Sequence, residues 1–147
     1  MEDVKQSRVS DEDLEDSFGD GRYGEYRKEA QERWGKDTVN RSEAIVKNMN
    51  KEELEKIKAE GEEISRELAD AMGQGAGSAE VQAIIERHFR LITQFYDSNW
   101  ALLDIYRGLG KMYVEDERFA ANYTKYHPDL PQFMCEAMGI YCDRKAE

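Results

Sequence analysis

The chain is poor in the groups that catalysis and nucleic-acid binding draw on. It has two histidines, two cysteines, and 21 basic residues against 32 acidic ones. With a formal net charge of −11, it lacks the basic surface that neutralises phosphates, so nucleic acid is repelled on balance. An anionic membrane surface is disfavoured for the same reason. No apolar run approaches the roughly 20 residues of a membrane span, and the acidic N-terminus has no secretory-signal character. The expected compartment is the cytoplasm. Cys135 and Cys142 stand seven residues apart. On one helix that is about 10.5 Å, out of reach of a disulfide. No CxxC or HxxxH spacing supports zinc, so the thiols read as small buried hydrophobes. No nucleophile–base–acid set is legible, because His88 falls mid-helix and His127 precedes Pro128. Glu86 is two residues from His88, which is not the ExxH spacing of di-metal bundles. Neither catalysis nor a metal or cofactor is expected.

What the chain does have is helical periodicity. Its 147 residues, 39 % apolar and 36 % charged, suffice for one domain with a hydrophobic core. Residues 1–20 are acidic, with Val4, Val9, Leu14 and Phe18 too scattered for a stripe; they read as a flexible segment that Gly19-Asp20-Gly21 breaks off. Tyr23, Tyr26, Ala30 and Trp34 share one side of a helix that Gly35 ends. At about 12 residues it is marginal alone. Residues 39–49 form a weak helix with Asp37 or Thr38 as its cap. Asn50 to Glu53 has the form of a capping box. It opens a long amphipathic helix through Leu54, Ile57, Gly61, Ile64, Leu68 and Ala71. Gly61 on its apolar side implies close approach of a neighbouring helix.

Gly73 to Gly77 is a flexible loop that lacks the Gly-Lys-Ser/Thr of a phosphate loop. Ser78 then caps a helix over residues 79–96. At 100° per residue, Val81, Ile84, Ile85, His88, Leu91, Ile92 and Phe95 fill its apolar arc, with Phe89 and Tyr96 at one edge. The arc is wider than one packed partner needs, so the edge residues are available to line something beside the core. His88 is either a core histidine bonded to a backbone carbonyl or a polar anchor in a ligand cavity. Asp97-Ser98-Asn99 caps a short helix over 100–108, on which Trp100 and Leu103 point away from the apolar face. Gly108 and Gly110 permit a tight bend before a turn of helix at 111–114. Asp116 caps a helix over 117–126, and Asp129 caps a last one carrying Leu130, Phe133, Met134, Ala137, Met138 and Tyr141 inside. No strand pattern survives, and the fold class is all-α, with about six to eight helices.

Aromatic density rises above this background. Most of these rings must be core, but a subset at the edges of helix faces fits an apolar cleft for flat, heteroaromatic ligands. The marginal Tyr23–Tyr26–Trp34 helix fits a lid that orders when such a ligand arrives.

Four stretches, YRKEAQERWG (26–35), KEELEKIKAEGEEI (51–64), RGLGKMYVEDERFAANY (107–123) and PDLPQFMCEAMGIYC (128–142), resemble the TipAS-type antibiotic-recognition domain of MerR-type transcription activators. The likeness covers residues 14–143. It implies a globin-like all-α fold without haem, binding of thiopeptide or other bulky hydrophobic drugs, and N-terminal helices that fold over the ligand. On this basis 21–50 are expected to be lid helices, loose without ligand, and 51–143 the ligand-binding core. The regulators' DNA-binding region and dimerising coil are not represented in the sequence, so no promoter binding is expected of this chain alone. A monomer is expected, or a dimer where the domain is fused to such a region. Well-known members of this family capture dehydroalanine-containing drugs through a cysteine near the start of a short pocket helix. The matching positions read Phe95-Tyr96-Asp97-Ser98 and Tyr106-Arg107-Gly108, with no thiol, and Ser98 without an activating base is a far weaker nucleophile.

The expected function is therefore non-covalent recognition of bulky hydrophobic antibiotics, either as the sensing part of an activator or as a drug-sequestering protein. The expected ligand-binding residues are Tyr23, Tyr26, Trp34, His88, Phe89, Ile92, Tyr96, Ser98, Trp100, Leu103, Tyr106 and Tyr113. The competing reading is a protein-interaction module whose aromatic cleft takes a partner helix.

Overall fold

In the computed structural model, residues 28–32 and 35–146 are described. The expectations for residues 1–20, and those for Tyr23, Tyr26 and Trp34, lie outside them. The described residues hold a helical stretch at 28–32 and six longer helices: α1 (Lys36–Lys47), α2 (Lys51–Ala71), α3 (Ala79–Ile92), α4 (Leu102–Glu115), α5 (Glu117–Thr124) and α6 (Leu130–Ala146). Turns of 3₁₀ helix follow α2 at Met72–Gln74 and α3 at Thr93–Phe95. No strand occurs among the described residues, so the all-α expectation holds.

Three of the expected caps form. Asn50 Oδ1 accepts the Glu53 N–H at 2.8 Å, Ser78 Oγ accepts that of Val81 at 3.2 Å, and Asp116 Oδ1 accepts that of Arg118 at 3.0 Å. Each satisfies a donor that a helix start leaves orphaned. Asp116 also closes α4, its own N–H reaching the Met112 carbonyl at 2.9 Å. One residue thus joins two helices. Gly35 is a second such joint. Its N–H donates to the Gln31 carbonyl at 2.9 Å while its carbonyl accepts the Val39 N–H at 3.3 Å. A φ of 92° makes this possible and restricts the position to glycine.

Four expectations need correction. Asp37 and Thr38 lie inside α1, because Gly35 starts that helix three residues earlier without any side-chain cap. The helix expected over 79–96 ends at Ile92, where the Thr93 hydroxyl donates to the Phe89 carbonyl at 2.7 Å and the chain tightens into 3₁₀ geometry. A β-branched hydroxyl that bonds back onto the preceding turn competes with regular helix. Asp97-Ser98-Asn99 caps nothing, since α4 starts after Ala101 with no side-chain cap bond. Finally, Gly108 and Gly110 make no bend, and α4 runs through both.

The described residues separate into two compact units. In one, residues up to Lys58 join with Gln94–Asp97. Its small core is Leu54, packed by Val46, Met49 and Phe95. The other comprises Ala59–Thr93 and residues 98–146. There Ile64 and Leu68 of α2, Val81 and Ile85 of α3, Tyr106 of α4, and Leu130, Met134 and Met138 of α6 are completely or almost completely buried. The approach of α4 to α6 explains Gly110: a Cβ there would stand 3.3 Å from the Cys135 backbone and 3.4 Å from Met138 Sδ. At Gly61 the added Cβ would meet Leu91 Cδ2 at 3.6 Å. That is ordinary contact, so the expected close approach leaves room for alanine. Cys135 and Cys142 both lie on α6 and both are free.

The two glycines of α4 give opposite predictions. Gly108 is exposed, with nothing within 4 Å of a built Cβ. Gly108→Ala should raise stability by about 0.5–1 kcal/mol through helix propensity. Gly110→Val should lower it by roughly 1–3 kcal/mol through overpacking against α6. Urea unfolding followed by far-UV circular dichroism reads both.

Candidate ligand-binding site

The unit that contains α3, α4 and α6 carries a continuous group of rings. Every apolar residue of α3 that follows the 3.6-residue period from Val81 points inward, and His88 comes with them. His88 is 3 % exposed and Tyr106 of α4 is fully buried. The His88 Nδ1 stands 2.7 Å from the Tyr106 hydroxyl, which also lies 3.4 Å from the Ile85 carbonyl. Phe89 meets Tyr106 edge-on at 5.1 Å between centroids and Tyr141 of α6 at 5.3 Å. Tyr106 and Tyr141 stand 6.0 Å apart in a T-shaped arrangement. Such pairs add to simple burial because ring edges face ring faces. A second pair, Tyr113 of α4 and Tyr123 of α5, is 4.7 Å apart.

Burial sets the protonation states of these groups. Loss of water lowers the His88 pKa to about 4, so the ring is neutral at pH 7. Desolvation holds the Tyr106 hydroxyl well above its ordinary value and raises Tyr96 and Tyr123. It raises both thiols as well, the reverse of what a reactive cysteine needs. Cys142 Sγ donates to the Leu103 carbonyl at 3.3 Å. Among the described residues no group of three or more His, Cys, Asp or Glu side chains could hold a metal ion.

The structure brings three of the expected residues, His88, Phe89 and Tyr106, into one group. The partner of His88 is a tyrosine hydroxyl where the sequence suggested a backbone carbonyl. Tyr113 is buried in the separate pair with Tyr123. Ile92 and Leu103 are half-buried near the end of α3 and the start of α4. Tyr96 does not share the edge of α3 with Phe89, because the helix stops at Ile92; it lies instead in Gln94–Asp97, in the other unit. Ser98 is exposed, and half-buried Trp100 precedes α4 instead of opening it.

Tyr141 is the residue the sequence reading missed. It was legible as part of the inner stripe of α6, but that stripe carries no mark separating a ring that meets Phe89 from plain core. Near it, α3 (Ala79, Gln82, Ala83, Glu86) and α6 (Tyr141, Arg144, Lys145) border an open groove of about 360 Å³. The Lys145 ammonium lies 3.2 Å from Glu86 and 5.6 Å from the centre of the Tyr141 ring. None of the expected ligand-binding residues lines this groove.

The His88–Tyr106 pair predicts a pH dependence. Folded His88 protonates only near pH 4, whereas an unfolded histidine does so near 6.5, so between these values the unfolded state binds the extra proton. The stabilisation is complete above pH 6.5 and is lost as pH falls towards 4. The contribution is about 3 kcal/mol. The difference in unfolding free energy between the wild type and His88→Gln should shrink over that window in urea titrations. A difference constant from pH 7 to 4 would contradict it.

Comparison with known proteins follows this geometry. The model of the TipAS antibiotic-recognition domain matches residues 26–141. The HTH-type transcriptional activator mta of Bacillus subtilis is 35 % identical over 121 residues, covering 82 % of this chain and 46 % of that protein. The HTH-type transcriptional activator TipA of Streptomyces coelicolor is 32 % identical over 125 residues, covering 82 % of this chain and 48 % of TipA. The chain thus spans about half the length of the curated relatives it matches. Among solved structures, TipAS of Streptomyces lividans in complex with nosiheptide, a thiopeptide antibiotic of a multidrug resistance system, superposes with a TM-score of 0.77 at 27 % identity, over 95 % of this chain and 98 % of that one. The expected kinship is established by the match over residues 26–141: this chain belongs to the TipAS antibiotic-recognition domain family.

Proposed function

We propose that this protein recognises bulky hydrophobic antibiotics of the thiopeptide class without covalent capture, as the effector-sensing part of a MerR-type activator or by sequestering the drug. The observation that carries this reading is the likeness, over nearly the whole chain, to a protein solved with nosiheptide. The thiol chemistry supports the non-covalent half. Ser98 is a solvated hydroxyl with no cysteine beside it in sequence, and burial keeps both thiols of α6 protonated.

Tyr96 in one unit, and Phe89, Ile92, Ser98, Trp100 and Leu103 in the other, are assigned as ligand contacts, together with Tyr23, Tyr26 and Trp34. Buried His88, Tyr106 and Tyr113 act as support within their own unit. Residues 21–50 order on the ligand. The state of α1 supports this. None of its residues is fully buried, and the Ser42 hydroxyl is enclosed without a hydrogen-bond partner. Both features place a 12-residue helix at the low-stability end of the molecule. Binding proceeds without catalysis, because the one mid-helix histidine is sealed from solvent and neutral. The domain is a monomer on its own and a dimer when joined to a DNA-binding region. The partner-helix alternative gains no support, since among the described residues Val114 is the only large hydrophobic side chain that is exposed.

Titration with nosiheptide, followed by tryptophan fluorescence, tests the reading. Saturable binding is expected, Trp100→Ala should weaken it at least about fivefold with the far-UV helix signal intact, and the denatured protein should keep its unmodified mass. A mass increase by one ligand would overturn the non-covalent assignment. No binding by any member of a thiopeptide and hydrophobic-drug panel would overturn the function.

A further inference from the structure

The four residues Gln94–Asp97 cluster with the first unit, although the chain on both sides of them belongs to the second. Within those four, alternate residues are tied down. Phe95 packs on Leu54 of α2 and on Val46 and Met49 at the end of α1. Asp97 Oδ2 accepts from Arg41 Nε of α1 at 3.0 Å, across 56 positions of sequence. An ion pair at a protein surface ordinarily contributes little. This one differs because the Asp97 side chain is only 13 % exposed while Arg41 is 63 % exposed. A carboxylate withdrawn from water depends on its partners more than a solvated one does. The segment is available for this because the two helices beside it forgo it. The end of α3 at Ile92 turns Phe95 out of the α3 stripe, and α4 starts at Leu102 without using Asp97 as a cap.

We propose that Phe95 and the Arg41–Asp97 pair are positioning residues which clamp the backbone on both sides of Tyr96 to α1, so that the order of α1 and the presentation of Tyr96 form one event. The proposal rests on the reading of Tyr96 as a ligand contact. A drug that fixes Tyr96 then stabilises α1, and by linkage a change that loosens α1 weakens drug binding.

The test has a ligand-free arm and a ligand arm. In amide hydrogen exchange without ligand, Asp97→Arg should speed exchange of the last turn of α1 about tenfold. Arg41→Asp should shift the Tyr96 ring resonances in NMR spectra. The double variant Arg41→Asp with Asp97→Arg should restore both. Phe95→Leu, which keeps an apolar group on Leu54, should loosen α1 less than Phe95→Ala. With nosiheptide, each single charge variant should bind about tenfold more weakly, and the double variant should recover to within about threefold of wild type. Exchange in α1 unchanged by Asp97→Arg, or a double variant no better than the singles, overturns the clamp. If wild-type protein fails to bind nosiheptide, the functional reading falls, while the exchange and Tyr96 measurements still decide the clamp.

Discussion

A tyrosine with no exposed surface cannot leave its hydroxyl unpaired, and the packing of the larger unit follows from how Tyr106 meets that constraint. Its oxygen lies 2.7 Å from His88 Nδ1 and 3.4 Å from the Ile85 carbonyl, so a buried polar contact joins α3 to α4. An unpaired hydroxyl there would cost about 1–3 kcal/mol. The bond constrains the rotation of both helices, and His88 is buried along with Val81, Ile84, Ile85 and Leu91 of α3. With the ring so placed, Phe89 and Tyr141 pack on it and on each other, and Gly110, one turn further along α4, is brought against the α6 backbone. The histidine is neutral because this packing excludes water. Its charge state is a consequence of the core.

Much of this was legible in the sequence, and what failed did so for identifiable reasons. The caps at Asn50, Ser78 and Asp116 were readable because a short polar side chain before an apolar period has one main use. The glycines of α4 were ambiguous, since the same residue type serves a bend and a helix contact. Only the partner surface decides, and Cys135 and Met138 on α6 are about 25 residues away in sequence. Thr93 was misleading in the opposite direction. It sits on the polar side of a regular wheel, and nothing in the pattern shows that its hydroxyl turns back to Phe89. The site divides along the same line. His88, Phe89 and Tyr106 come together because helical phase holds over their positions. Tyr96 was placed beside Phe89 only by extending that phase past its end.

Two observations bear on covalent chemistry. The sequence shows a serine and no cysteine in the stretch around position 98. The structure adds that Cys135 and Cys142 are held away from the thiolate form by desolvation, and that the Cys142 sulfur is engaged by the Leu103 carbonyl. For the proposed non-covalent binding, affinity comes from buried apolar area and is opposed by the ordering of the segments that enclose the drug. Each residue ordered on binding opposes association by roughly 1–2 kcal/mol. A marginal helix is tolerable in such a protein only where something shortens the list of residues that must be fixed at that moment.

The early end of α3 meets that condition. Had the helix continued to Tyr96, as its apolar period suggests, Phe95 would have stayed in the inner stripe with Leu91 and Ile92, and Asp97 would have stood at a helix C-terminus, where the dipole disfavours a carboxylate. Stopping at Ile92 moves both side chains to α1. The aromatic ring becomes the lid of a small core around Leu54, and the carboxylate finds a guanidinium. One turn of regular helix is lost, with its backbone bonds partly replaced by the 3₁₀ turn at Thr93–Phe95. In exchange, α1, whose Val39, Ile45 and Val46 are only half-buried, gains a further hold. A departure from helical period at Thr93 is therefore what brings Phe95 and Asp97, the two neighbours of Tyr96, to α1.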